Sequence, residues 1–152
     1  MVTIPMKRLL TAIPFLLIVP ALWAQGLSLT IGNSVAGQNF AMKSAAFVFR
    51  VNGCADLSKV QITATAEGIV GNARRSVPVN PIPSQPAGVW AIGAQWSAEG
   101  KWVVNIAATC QNETAGAIVP VSRWTFDRAT TQLLTHAPTS AEVEAALKAS
   151  RF

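Results

Sequence analysis

Hydrophobic and polar residues alternate with a period of two over most of the chain after residue 26, a pattern typical of strands buried on one face. The clearest alternating segments begin at Leu27, Phe47, Val60, Trp90 and Trp102. Weaker strands are predicted around 74–79 and 115–123. Turn-forming pairs such as Asn52-Gly53 separate these segments. About seven short strands at this spacing predict an all-β protein, an immunoglobulin-like β-sandwich.

The last residues of the chain follow a different period. Thr139 followed by Glu142 has the spacing of a capping box, which marks the start of a helix. Val143, Ala146 and Leu147 then form one apolar stripe at helical spacing. These residues predict a short C-terminal helix. Because so short a helix is marginal by itself, it is either docked on the sandwich or frayed.

The first 24 residues have the three parts of a secretory signal peptide. Lys7 and Arg8 give the basic start, residues 9–23 are uncharged, and Ala24 is a small residue before polar Gln25. A membrane-spanning helix is the alternative, but it needs about 20 apolar residues, and this run is shorter and interrupted by prolines. We predict a secreted or periplasmic protein without stable membrane insertion after cleavage. The predicted division is a signal peptide at 1–24, a β-sandwich domain at 25–137, and a C-terminal helix and tail at 138–152.

The charge of the chain changes when the signal is removed. The full sequence has a formal net charge of +5, and Lys7 and Arg8 contribute two of those charges. The other cations are scattered along the sequence, and only Arg74-Arg75 form an adjacent pair. Nucleic-acid binding usually requires a basic stripe or a known motif. We therefore expect no nucleic-acid partner.

Cys54 and Cys110 are the two cysteines. An even count in an oxidising compartment favours a disulfide, and two buried thiols are the alternative. In an immunoglobulin-like order, Cys54 ends the second strand and Cys110 ends the sixth. Those strands run in the same direction in opposite sheets, so their ends can meet. A bond that closes this loop contributes at most about 4 kcal/mol in the chain-entropy model.

The stretch from Gly88 to Ile106 contains Gly-Val-Trp at 88–90 and Gly-Lys-Trp-Val-Val at 100–104. It resembles a motif of small exported bacterial sandwiches, the YtkA-like and FixH-like families. The resemblance implies the immunoglobulin-like fold and a role in copper handling or oxidase assembly. From Gln25 onward, however, the sequence has one Met, Met42, and one His, His136, so no copper-ligand set can be carried over.

Candidate catalytic and metal-binding groups are few. His136 stands in a polar stretch without a recognisable nucleophile, so we interpret it as a solvated loop residue and not as a catalytic base. Neither His-x-His nor a Cys/His cluster occurs, so no metal or other cofactor is expected. The seven carboxylates fall mostly at predicted turns or on polar faces. A pair of carboxylates that face each other across a cleft, as in glycosidases, is the alternative.

These observations predict an exported, non-catalytic module with a binding, accessory or structural role in the cell envelope or exterior. One alternative is an accessory protein for copper delivery or oxidase assembly, as the resemblance implies. A small secreted hydrolase is the second alternative. The expected partner is a protein or another component of the envelope.

Trp124, Phe126 and Arg128 are the candidate partner contacts, because they follow the last predicted strand and combine aromatic rings with a cation. The alternative is that they cover the sandwich edge or lie under the C-terminal helix. The other tryptophans after the signal are in phase with aliphatic neighbours and are predicted to lie in the core. They are Trp90, Trp96 and Trp102.

The signal hypothesis predicts that the exported protein begins near Gln25. The uncharged run ends at Ala24, where signal peptidase recognises small residues. The intact mass of protein recovered from the exported fraction measures the cleavage point. A full-length mass in that fraction, with Lys7 and Arg8 retained, would contradict the prediction.

Overall fold

A computed structural model describes residues 25–34 and 43–152, so the predicted signal and Met42 lie outside the described residues. Within those ranges the chain forms nine strands, one α-helix and one short 3-10 helix. The strands are β1 (Ser28–Gly32), β2 (Ala45–Asn52), β3 (Gln61–Val70), β4 (Ala73–Val79), β5 (Ile82–Pro83), β6 (Val89–Gly93), β7 (Lys101–Cys110), β8 (Glu113–Val121) and β9 (Gln132–Leu134). The α-helix, α1, spans Ser140–Ala149, and the 3-10 helix spans Leu57–Lys59.

The strands form two antiparallel sheets, which confirms the predicted all-β sandwich. One sheet has the order β1-β2-β6-β5 and the other has the order β4-β3-β7-β8-β9. The sheet β1-β2-β6-β5 faces a sheet that contains β3-β7-β8, which is the strand arrangement of immunoglobulin-like domains. The sequence did not predict β5 or β9, which are only two and three residues long. Cys110 therefore ends the seventh strand in chain order and not the sixth.

The core lies between the two sheets and is built from the inward residues of each strand. Phe49 pairs with Trp90 across β2 and β6, and their rings stack with centroids 5.6 Å apart. Trp96 and Trp102 are 6% and 3% exposed, so their predicted burial is confirmed, whereas Trp90 is half-buried. Trp96 reaches the core from the loop after β6, not from the strand as the alternation predicted.

Trp102 lies over Gly68, its register partner on β3. A Cβ atom at position 68 would overlap the indole ring, so only glycine leaves space for it. The Trp102 Nε1–H donates to the carbonyl of Glu99 at 2.8 Å, which satisfies the polar atom of a buried ring. Trp102 therefore fixes the start of β7 against the end of β3.

The predicted disulfide between Cys54 and Cys110 is confirmed, with Cα atoms 5.9 Å apart. Cys54 follows the end of β2 in one sheet, and Cys110 is the last residue of β7 in the other. The bond therefore joins the two sheets at one end of the sandwich. Because 56 positions separate the cysteines, it removes much of the freedom of the unfolded chain.

The C-terminal helix is docked, which decides between the two alternatives that the sequence left open. Val143 and Leu147 of α1 are buried against Val103 of β7 and Ile118 of β8. These two strand residues point away from the sandwich core. The helix thus covers the outer face of the five-stranded sheet, and β8 is buried on both faces.

Both ends of α1 are attached by hydrogen bonds. Thr139 and Glu142 form the predicted capping box, in which the Glu142 carboxylate accepts from the Thr139 N–H at 2.9 Å. At the other end, the Lys101 ammonium donates to the Ser150 carbonyl at 3.1 Å, an acceptor that the helix itself leaves unused. Lys101 therefore connects the end of the helix to the beginning of β7.

Gly116 determines how closely the chain before α1 can cross β8. A Cβ atom at this position would overlap the carbonyl oxygen of His136 and lie 2.8 Å from Cδ of Pro138. The backbone of the 136–138 segment consequently rests on the strand itself, and the helix that follows can reach Val103 and Ile118. A side chain at position 116 would lift this segment from the sheet.

We expect Gly116→Ala to lower the free energy of unfolding by about 1–3 kcal/mol, the usual cost of overpacking a close contact. Urea denaturation of the variant and the wild type measures this difference. Gly93→Ala is the matched control, because glycine 93 also lies in a strand but has nothing within 4 Å of its would-be Cβ. Equal losses in the two variants would show that the crossing over β8 is not the cause.

Candidate interaction surface

A four-residue turn, 122–125, follows β8. Val121 and Phe126 form an isolated antiparallel bridge, and the Ser122 N–H donates to the Thr125 carbonyl at 2.9 Å. The predicted strand at 115–123 therefore ends two residues early, at Val121. As a result, Arg123 and Trp124 occupy the two central positions of a tight turn and project from the end of the sandwich.

The turn is attached to the core on both sides. Phe126 is 7% exposed, and its ring centroid lies 5.8 Å from that of Phe47 on β2. The buried Trp96 donates its Nε1–H to the Ser122 carbonyl at 3.2 Å. These contacts anchor the turn to the core, and a preorganised surface loses less entropy when it binds a partner.

Trp124 is 71% exposed, the largest exposure among the big hydrophobic side chains of the described residues. The guanidinium of Arg123 lies 5.1 Å from its ring centroid, within the range of a cation–π contact. Arg123 and Trp124 therefore present a cation and an aromatic ring together. The sequence identifies Trp124 as a surface contact but not Arg123, because Arg123 lies at the end of the predicted strand 115–123.

Phe126 is buried, so it does not form an exposed aromatic pair with Trp124. The prediction that Phe126 contacts a partner is therefore wrong. Phe126 is also not covered by α1, because it packs between the sheets, whereas the helix lies on an outer face. Arg128 is exposed, with its guanidinium 5.4 Å from the Phe126 ring centroid. Of the three predicted contacts, Trp124 and Arg128 are at the surface and Phe126 supports the turn from below.

His136 has a structural partner. Its Nε2 lies 2.9 Å from Oε1 of Glu142, the carboxylate that caps α1. The backbone hydrogen bond from Thr139, followed by the hydrogen bond to His136, lowers the pKa of Glu142 below its usual value. The carboxylate therefore stays ionised at neutral pH, as a helix N-terminus favours. His136, Thr139 and Glu142 thus form one hydrogen-bonded group at the start of α1.

Other sites for small ligands are limited among the described residues. No group of three or more His, Cys, Asp or Glu side chains there has a metal-binding arrangement. Four grooves of the described surface measure about 180–310 Å³, and one of them lies between β1 and β9, lined by Thr30, Arg128 and Leu133 among others. Pockets for drug-sized ligands usually measure about 300–1,000 Å³, so these grooves lie at or below the lower end of that range. None of the described helices is long and apolar enough to span a bilayer.

Comparisons with protein-family models, with curated proteins and with solved structures find no match for this chain. The YtkA-like and FixH-like resemblance and the copper-related role that it implies therefore remain predictions. The surface of the chain itself provides the remaining basis for a functional proposal.

Truncation of Trp124 and truncation of Phe126 are expected to change the free energy of unfolding by very different amounts, although the two residues are only two positions apart. Phe126→Ala should lower the free energy of unfolding by about 3–5 kcal/mol, because it removes a buried ring. Trp124→Ala should change it by less than about 1 kcal/mol, because the ring is mostly in solvent. Urea denaturation of both variants measures the two values, and a large loss in Trp124→Ala would mean that this ring has a role in folding.

Proposed function

We propose that this protein is exported through a cleaved N-terminal signal and acts as a non-catalytic binding module of the cell envelope or exterior. Its contact surface is the 122–125 turn, with Trp124 at the centre and Arg123 beside it. The observation that carries the proposal is the 71% exposure of Trp124 on a turn that the core holds in place.

Burial of this ring by a partner would be favourable. Transfer of large apolar side chains from water to a buried site is favourable by about 1.5–3 kcal/mol, and tryptophan is among the largest. Tryptophan and arginine are also the residue types most often found at the energetic centre of protein interfaces. A partner that covers Trp124 would recover this energy without a change in the rest of the fold.

The Cys54–Cys110 bond supports the exported location. Disulfides persist in the periplasm and outside the cell, whereas cytosolic reductants keep most thiols reduced. The bond is also consistent with the predicted signal at residues 1–24, which would bring the chain into such a compartment. Both features favour the cell envelope or exterior as the place where the partner is met.

Site-specific photo-crosslinking in the native envelope tests the contact surface. A photoreactive amino acid at position 124 should form an adduct with one dominant partner. The matched control is position 82, because Ile82 is also an exposed hydrophobic residue, at 43%, but lies on β5 in the other sheet. Absence of adducts at position 124, or the same adducts at both positions, would refute the proposed contact surface.

A further inference from the structure

The end of the sandwich that carries Trp124 also carries the start of β7 and the end of α1. Trp102 pairs with Val121, so β7 begins beside the strand end from which the turn emerges. The hydrogen bond from Lys101 to Ser150 places the last residues of the chain at the same end. We call the surface formed by 43–45, 69–73, 94–101, 121–127 and 148–152 the basic end.

The basic end carries the net positive charge of the described chain. Five cations lie there, against two carboxylates, Glu99 and Asp127. The five cations are Lys43, Lys101, Arg123, Lys148 and Arg151. Over the remainder of the described chain, five cations are balanced by five carboxylates. The positive charge that looked scattered in the sequence is therefore concentrated by the fold.

Four cations of the basic end, Lys43, Arg123, Lys148 and Arg151, are exposed to solvent, whereas the Lys101 ammonium already donates to the Ser150 carbonyl. In the described part of the chain, none of the five forms an ion pair with a carboxylate. Arg74, which lies next to this end, behaves differently, because Glu67 and Glu144 both pair with it. The structure therefore neutralises Arg74 and leaves the cations of the basic end without a carboxylate partner.

Exposed aromatic residues lie among these cations. Trp124 is 71% exposed, and Phe152 is 39% exposed next to Arg151. Tryptophan favours the membrane–water interface, where its ring contacts the acyl boundary and its N–H reaches water. Clusters of lysine and arginine are attracted to anionic lipids by roughly 1 kcal/mol for each cation near the surface.

We propose that the basic end binds peripherally to a membrane surface that contains anionic phospholipids, with Trp124 entering the headgroup region. This inference rests on the proposed function, because it identifies the partner of the same contact surface. An acidic protein is the other class of partner for such a surface. The lipid surface is favoured because Trp124 stands on a four-residue turn at an end of the sandwich whose cations are dispersed, whereas a protein interface usually buries a packed patch of about 800 Å² on each partner.

Vesicle flotation with the exported protein tests the inference. The wild type should float with phosphatidylcholine vesicles that contain phosphatidylglycerol and should not float with phosphatidylcholine alone. Arg123→Gln should weaken the binding about fivefold at low ionic strength, through the loss of one cation. Trp124→Ala should weaken it roughly tenfold, through the loss of ring burial. Added salt should weaken the wild-type binding, since the attraction is screened.

Ile82→Ala is the matched control, because it removes an exposed hydrophobic residue outside the basic end and should leave flotation unchanged. If the wild type floats and both Arg123→Gln and Trp124→Ala float equally well, the inference is overturned. Failure of the wild type to float with either vesicle would also overturn it. In that case, a protein adduct at position 124 would still support the proposed binding module. Flotation therefore tests membrane binding, and crosslinking tests the contact surface.

Discussion

Burial of β8 on both faces is the constraint on which the rest of this structure depends. The inner faces of β7 and β8 fill the core between the sheets, and on the outer face Ile118 of β8 and Val103 of β7 need a second cover, because both are apolar. The helix α1 provides that cover. Gly116, the capping box and the bond from Lys101 to Ser150 all serve to place it. The same placement brings Arg151 and Phe152 to the end where Trp124 projects.

The alternating pattern predicted the sandwich because β1, β2 and β3 each have one polar face. It was weak for β8, whose outer face lies under α1 and therefore does not need polar residues. Two strands were missed because β5 and β9 are too short to show a period. The disulfide was predictable from the predicted compartment and the strand order. Docking of the helix was not, since it depends on the close approach that Gly116 allows.

The candidate surface was only partly predictable, for reasons of geometry. Trp124 and Phe126 would share one face if the strand continued, because side chains in a strand repeat every second residue. The turn at 122–125 interrupts the strand, so Phe126 enters the core and Trp124 points to solvent. The cations of the basic end lie far apart in the sequence, from Lys43 to Arg151. Only the antiparallel folding of the chain and the position of α1 bring them together.

The hydrogen bond from the Leu27 N–H to Glu113 places the first described residues beside the start of β8. Trp124 follows the other end of that strand, roughly 27 Å away at about 3.4 Å per residue. Gln25 and the turn therefore lie at opposite ends of the sandwich. While a leader held Gln25 at a bilayer, Trp124 would point away from it. If the signal is cleaved and the basic end binds a membrane, as proposed above, cleavage would also free the domain to turn that end toward the bilayer.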